Sequence, residues 1–348
     1  MEQQSLYQHQ QRKAVFLSLN SLGDLARLLR SDQRRLKLMA ERPNYKTFEI
    51  PKKNGGQRLI EAPSDDLKRA LSILNNFLQS VYLFEKSSAA YGFVVGVKND
   101  DDRRNVLTNA KRHLGKPYLL NADLADFFHS VSREQVLRIF TEAPFRFRRE
   151  LPDVLADLCT YHGRLPMGAP TSPVLSNFAC TGIDQQLTAL SNTHSWVYTR
   201  YADDMSFSAD QPITLEQISA IREIVTKAGF VWSEPKVMLL GPDDAKVVTG
   251  LLLKADDIDL APDYLQLLED EVKRLSEVMR AQNEQGQLNT RWVEQLKLQI
   301  RGRMAFAGFV LKRKDPRFNA LKDAFYTAIN PPQEEFGAMS WRRFPYNF

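Results

Sequence analysis

The stretch TRYADDMSFSAD, residues 199–210, places two adjacent carboxylates, Asp203 and Asp204, between two alternating apolar runs. Alternation on both sides is the signature of a β-hairpin. Adjacent like charges repel, and an Asp-Asp pair is not a favoured two-residue turn. The pair is therefore either an ordinary solvated loop or a place where positive charge belongs. A third carboxylate, Asp123, follows the apolar strand at 118–120. If that strand pairs with the hairpin at 196–208, Asp123 stands beside Asp203 and Asp204. Three carboxylates so close cannot all stay ionised unaided. Mg²⁺ prefers oxygen ligands and usually keeps substrate phosphates and waters in its shell. Two such ions about 3.5–4 Å apart stabilise the attacking and leaving oxygens of a phosphoryl transfer.

The rest of the chain supplies a setting. Apolar spacing predicts a helix over 14–41, a hairpin with a basic tip around Asn54-Gly55-Gly56, and a helix over 67–84 capped by Ser64 or Asp65. DDDRR at 100–104 reads as a solvated loop or helix start. PYLLNADLADFF begins as a strand and gives way to a helix near Ser132. Helices are expected at 150–160, 174–190 and 215–229, and strands at 230–242 and 246–253. Strands so far apart in sequence point to an α+β fold with a mainly antiparallel sheet.

After Asp256 the composition shifts. Leu268, Val272, Leu275 and Met279 form one helical face, and Trp292, Leu296, Ile300, Met304 and Phe309 part of another. Between Lys273 and Arg317 stand eleven basic and four acidic residues, a local charge of +7. The whole chain carries +5, a balance that favours a polyanionic partner. The two cysteines, Cys159 and Cys180, form no CxxC pair and fit a reducing compartment. No apolar run approaches a membrane span, and the polar N-terminus lacks an apolar signal region. A cytoplasmic protein without a membrane partner is expected.

YADD in its hairpin, NADLADFF upstream and LPMGAPTSPVLSN between them resemble, in order and spacing, the palm motifs of reverse transcriptases. The likeness runs from the basic hairpin near Lys52 to about Gly250 and continues more weakly through the later helices. NAKRH at 109–113 and VTG at 248–250 resemble two signatures of the bacterial retron branch. This resemblance implies a right-hand polymerase fold with an antiparallel palm sheet, fingers and a helical thumb. The expected boundaries are 1–117 for the N-terminal helices and fingers with the first palm elements, and 118–255 for the palm with a fingers insertion at about 133–165. The thumb follows at 256–330 and a tail at 331–348.

The resemblance also implies roles. Asp123, Asp203 and Asp204, with the Leu124 carbonyl, would hold two Mg²⁺ ions. Lys53, in competition with Lys52, and Arg58 would face the incoming triphosphate. Asp126, Phe128, Met167 and Gly168 would shape the nucleotide pocket, Phe128 standing beneath the sugar. Only one of Phe127 and Phe128 can face the site. Met167 stands where the family usually has Gln, so it fills space without the same hydrogen bonds. Lys236 matches a lysine that protonates pyrophosphate, a task requiring a lowered pKa. Asn109 and His113 would serve RNA binding or fold support, and Arg301 and Arg303 a nucleic-acid backbone. The implied reaction is RNA-templated DNA synthesis from dNTPs. The implied template is the retron's own structured noncoding RNA, primed from a guanosine 2′-hydroxyl to give RNA-linked DNA, with an effector protein in anti-phage defence. Rival readings are an intron-like or diversity-generating reverse transcriptase, or an RNA-binding scaffold with a vestigial site.

Overall fold

Polar caps cut the N-terminal apolar segment into three helices where the periodicity predicts one over 14–41. In the computed structural model, which describes residues 5–51, 55–98, 100–285, 291–312 and 314–330, these are α1 (Leu6–Leu17), α2 (Leu22–Leu28) and α3 (Gln33–Glu41). The Ser21 hydroxyl accepts from the Asp24 N–H, and the Asp32 carboxylate from the Arg35 N–H. Each cap satisfies an orphan donor and so starts a new helix.

β1 (Tyr45–Pro51) and β2 (Gln57–Pro63) form the expected antiparallel hairpin, with Ile50 opposite Arg58. Its tip at 52–54, and with it Lys52 and Lys53, lies outside the described residues. α4 (Asp65–Glu85) and α5 (Val106–Lys111) lead into β3 (Tyr118–Ala125), followed by α6 (Arg133–Thr141) and α7 (Leu151–Cys159). Ser132 and Gln135 close a capping box on α6. The helix expected over 174–190 is divided at Cys180 into α8 (Ser172–Ala179) and α9 (Thr181–Thr193). β4 (Val197–Tyr201) and β5 (Asp204–Ala209) make the hairpin that carries the Asp pair, and α10 (Leu215–Lys227) ends just before Gly229, whose φ of 85° suits only glycine well. The strand expected at 230–242 is interrupted by a 3₁₀ turn, Glu234–Lys236, containing Pro235. It leaves β6 (Val231–Trp232) and β7 (Met238–Leu240), and β8 (Val247–Val248) follows.

The sheet runs β4-β5-β3-β6, with β7 also on β3, and every pairing is antiparallel. β3 is central because both of its faces are apolar: Leu119, Leu120 and Leu124 are each at most 1% exposed. Beneath the sheet, Leu71, Leu74 and Leu78 of α4 pack with Leu175 of α8, Met205 and Phe207 in one cluster. Each fully buried leucine contributes about 1.5–3 kcal/mol.

The chain divides into two compact units, residues 1–249 and 250–348. The second contains a hairpin, β9 (Leu251–Leu253) and β10 (Ile258–Leu260), then α11 (Pro262–Gln285), α12 (Arg291–Leu311) and α13 (Pro316–Ile329). Leu268, Val272 and Leu275 are buried as expected, but Trp292 and Phe309 are exposed. On α12 the expected Ile300 and Met304 are buried, and Val293 and Ala307 complete that face. A Cβ at Gly308 would meet the Phe318 ring at 2.7 Å, so α12 and α13 touch too closely there for a side chain. The aromatic, basic segment at 331–348 lies outside the described residues. No helix among the described residues is long and apolar enough to cross a membrane.

Candidate active site

β3 and β5 bring the three acids together. Their register sets Asp123 directly opposite Asp204, and Asp203 occupies the turn between β4 and β5. The Leu124 N–H donates to the Asp203 carbonyl at 3.1 Å, tying the turn to β3. Ala202, the first turn residue, has φ 60°, a left-handed conformation that costs a non-glycine residue on the order of 1–2 kcal/mol.

A buried polar network offsets that strain. Arg200 is fully buried. Its Nη1 donates to the Ala202 carbonyl at 3.0 Å and to Asn177 Oδ1 at 3.1 Å. Its Nε and Nη2 grip Asp184 at 2.8 and 2.7 Å, and the Tyr198 hydroxyl donates to the same carboxylate at 3.0 Å. Asn177 in turn donates to the Gly92 carbonyl at 2.9 Å. A Cβ at Gly92 would lie 2.5 Å from the Ala202 nitrogen, so only glycine lets this loop support the turn.

His113 fastens the same hairpin from its flank. Its ring nitrogens bond Ser208 Oγ at 2.8 Å and Thr199 Oγ1 at 2.7 Å, joining β5 to β4. His113 and Asn109 are each 1% exposed. Of the two roles expected of them, RNA binding or fold support, this burial favours the second. Fold support is their visible role, although Asn109 Oδ1 has no hydrogen-bond partner among the described residues. Burial, with a smaller effect of Arg112, pushes the His113 imidazole down to about 3 from 6.5. The folded value lies below the unfolded one, so the stabilisation is complete above pH 6.5 and is lost as pH falls toward 3. We expect the intact chain to lose about 2 kcal/mol from this group between pH 6.5 and 5. Urea denaturation at both pH values should show that loss shrink in His113→Gln; an unchanged loss would contradict the assignment.

Charge at the acid cluster is unbalanced. Burial and the Asp123 carboxylate raise Asp203 above the usual range. Burial and the charges of Asp203 and Asp123 push Asp204 up to about 7, and since Asp204 is itself exposed to water, the neighbouring charges are the firmer of these causes. Lys236 Nζ donates to Asp123 Oδ1 at 2.8 Å. Burial acts to lower the Lys236 ammonium, but that bond and the three carboxylates outweigh it and hold it above the ordinary lysine range. The lowered value expected of an acid is therefore not found in this arrangement. Among the described residues no group of three His, Cys, Asp or Glu side chains is arranged to hold a metal ion. The donor chemistry nevertheless fits a hard divalent cation: the acids offer only oxygens, they repel one another, and a lysine already supplies positive charge to one.

A cavity of about 670 Å³ opens beside the acids. Arg58, Asp126, Phe128 and Met167 line it together with Asp123, Asp203 and Lys236. Phe127 and Phe128 both border it: Phe127 belongs to the core, and Phe128 packs against that core less deeply, its ring 5.9 Å from that of Phe93. Gly168 lies on the loop next to Met167, with φ 143°. In the second unit, Arg301 lies 5.9 Å over the Phe325 ring, whereas the Arg303 guanidinium is paired with Glu271.

The sheet, the paired acids and the adjoining cavity define a polymerase palm of the right-hand class. The chain belongs to the reverse transcriptase (RNA-dependent DNA polymerase) family, whose model matches residues 50–248. The α+β, right-hand polymerase reading thus holds, and the enzyme class is RNA-directed DNA polymerase, a class that generally works with divalent metal ions. Among curated proteins the chain is similar to the retron Ec86 reverse transcriptase of Escherichia coli, 29% identical over 70% of this chain and 74% of that one. It is 32% identical to the retron Mx162 reverse transcriptase of Myxococcus xanthus, over 61% of this chain and 47% of that one. It is also 32% identical to the retron Mx65 reverse transcriptase of the same organism, over 60% and 51%. The chain therefore spans about half the length of the latter two. These relatives support the retron branch.

Two features of the site escaped the motifs: the Arg200–Asp184 network and a buried glutamate, Glu61. Arg200 and Glu61 are buried charged residues on strands β4 and β2, and Asp184 stands on α9. Parity gives no signal for Arg200, since Thr199 beside it on the opposite face of β4 is equally buried.

Proposed function

We propose that the protein copies its own structured noncoding RNA into RNA-linked single-stranded DNA, using dNTPs and two Mg²⁺ ions. The observation that carries this reading is the register that sets Asp123 against Asp204, with Asp203 in the adjoining turn, beside a cavity lined by Arg58 and Phe128. The ions, when bound, supply the positive charge that lets the primer hydroxyl attack and the pyrophosphate leave. Asp123, Asp203 and Asp204, with the Leu124 carbonyl, would hold them. Arg58 grips triphosphate oxygens, its forked guanidinium suiting that geometry, with Lys53 as the second cation the resemblance implies. Asp126, Met167 and Gly168 bound the nucleotide. Lys236 holds a proton for the departing oxygen. The carboxylate charges keep that proton in place, so it becomes available only once they are offset. Arg301, and Arg303 if it leaves Glu271, face the nucleic-acid backbone, where binding weakens as salt rises.

Phe128 stands beneath the sugar and rejects a 2′-hydroxyl by bulk. Phe128→Ala should raise ribonucleotide incorporation relative to deoxynucleotide by about tenfold or more. Single-nucleotide incorporation assays check this, and unchanged sugar selectivity rules the role out.

The retron reading, with an effector protein in anti-phage defence, is tested by sequencing DNA copurified with the protein. DNA covalently joined to an internal guanosine of one structured RNA is the expected result. DNA lacking that link would favour an intron-like or diversity-generating enzyme.

A further inference from the structure

Glu61 is a carboxylate on β2 with 1% of its surface exposed. Burying a carboxylate is costly unless charge and hydrogen bonds compensate it. Here three groups from two other segments do so, His129 after β3 and both Arg164 and Met167 on the loop before α8. Arg164 Nη1 donates to Oε1 at 3.0 Å, His129 Nε2 lies 3.1 Å from Oε2, and the Met167 N–H donates to Oε2 at 3.1 Å. The backbones are joined as well, with the Glu61 N–H donating to the Met167 carbonyl at 2.8 Å. Next to that bond, a Cβ at Gly168 would fall 2.6 Å from the Glu61 carbonyl, so the loop presses against β2 with no space for a side chain.

Each tied segment carries one wall of the cavity. Arg58 lies three residues before Glu61 on β2, Phe128 precedes His129, and Met167 is bonded directly. A shift of any one segment relative to Glu61 therefore changes the distance between triphosphate, sugar and base walls. A neutral group could accept from the Met167 N–H equally well, but it would not draw in the Arg164 guanidinium as a carboxylate does.

We propose that Glu61 is a positioning residue that sets the spacing of the nucleotide pocket, and so its affinity and sugar selectivity. It acts through Arg164, His129 and Met167 and does not itself touch the nucleotide. This inference rests on the nucleotide-pocket reading above.

The test is single-nucleotide incorporation by the full chain on an RNA template, comparing Glu61→Gln, Arg164→Met, Phe128→Ala and the intact chain. Glu61→Gln should raise KM for dNTP by about tenfold with kcat changed less than about twofold, the signature of lost ground-state positioning. Its preference for deoxynucleotides over ribonucleotides should fall in parallel. Arg164→Met, a change at a partly exposed partner, should reproduce both effects and provides the same readout if Glu61→Gln does not fold. Equal loss of kcat and kcat/KM with unchanged sugar selectivity would overturn the proposal in favour of a merely structural glutamate. So would wild-type KM and selectivity in either variant while Phe128→Ala loses selectivity, a result that leaves the pocket reading standing. If Phe128→Ala also keeps full selectivity, the pocket reading itself fails and the proposal with it.

Discussion

Asp204→Asn is expected to lose RNA-templated DNA synthesis by about a thousandfold or more, equivalent to roughly 4 kcal/mol of transition-state stabilisation, while remaining folded and able to bind RNA. The fold should even benefit. In the intact chain the Asp204 carboxyl is pushed up to about 7 from 3.8 by burial and by Asp203 and Asp123. A raised acid pKa means the protonated form favours the fold. The penalty for ionising Asp204 is therefore absent below pH 3.8, grows through the interval, and is complete above pH 7. Asparagine removes it. Without divalent ions, thermal melting at pH 8 should place Asp204→Asn at or above the intact chain, with the difference vanishing near pH 4. Primer extension with the same preparations reads the chemistry. An active variant, or one inactive because it has unfolded, would contradict this account of Asp204.

Arg200→Leu is the second large effect. It strands Asp184, which is fully buried, without its partner. Removing one member of a buried ion pair costs about 3–5 kcal/mol, because the remaining charge stays uncompensated. Here the Ala202 carbonyl also loses its donor, so the turn that carries Asp203 loses its support. Urea denaturation should show the midpoint fall with an unchanged slope. Adding Asp184→Asn should recover part of the stability without restoring synthesis, since the turn remains unsupported. A destabilisation below about 1 kcal/mol would show that the pair is not what holds the hairpin.

Much of this site could be read from residue order. Strict alternation around YADD exposes the hairpin, and an apolar strand ending at Asp123 has few partners other than that hairpin. What period and composition could not resolve is where a periodic stretch breaks. Apolar residues keep their spacing through Ser21, Asp32 and Cys180, so one helix was expected at 14–41, where caps make three, and one at 174–190, where two form. Nor does spacing tell which face of a charged helix is covered, and Trp292 and Phe309 proved exposed. Charge misleads in the same way. Arg200 and Glu61 look like surface residues and are fully enclosed, because their partners come from distant segments: Asp184 and Asn177 for one, Arg164 and His129 for the other. Asn109 and His113, expected to serve RNA binding or fold support, lie inside for a related reason, since Thr199 and Ser208 offer the imidazole two hydroxyls within the hairpin.

The convergence of the three acids is tested most directly by primer extension on an RNA template across a Mg²⁺ titration, with the intact chain and Asp123→Asn side by side. Extension by the intact chain should rise with Mg²⁺ and vanish in chelator, and Asp123→Asn should stay inactive at every concentration. Extension by Asp123→Asn at the intact rate, or extension indifferent to chelator, would contradict it.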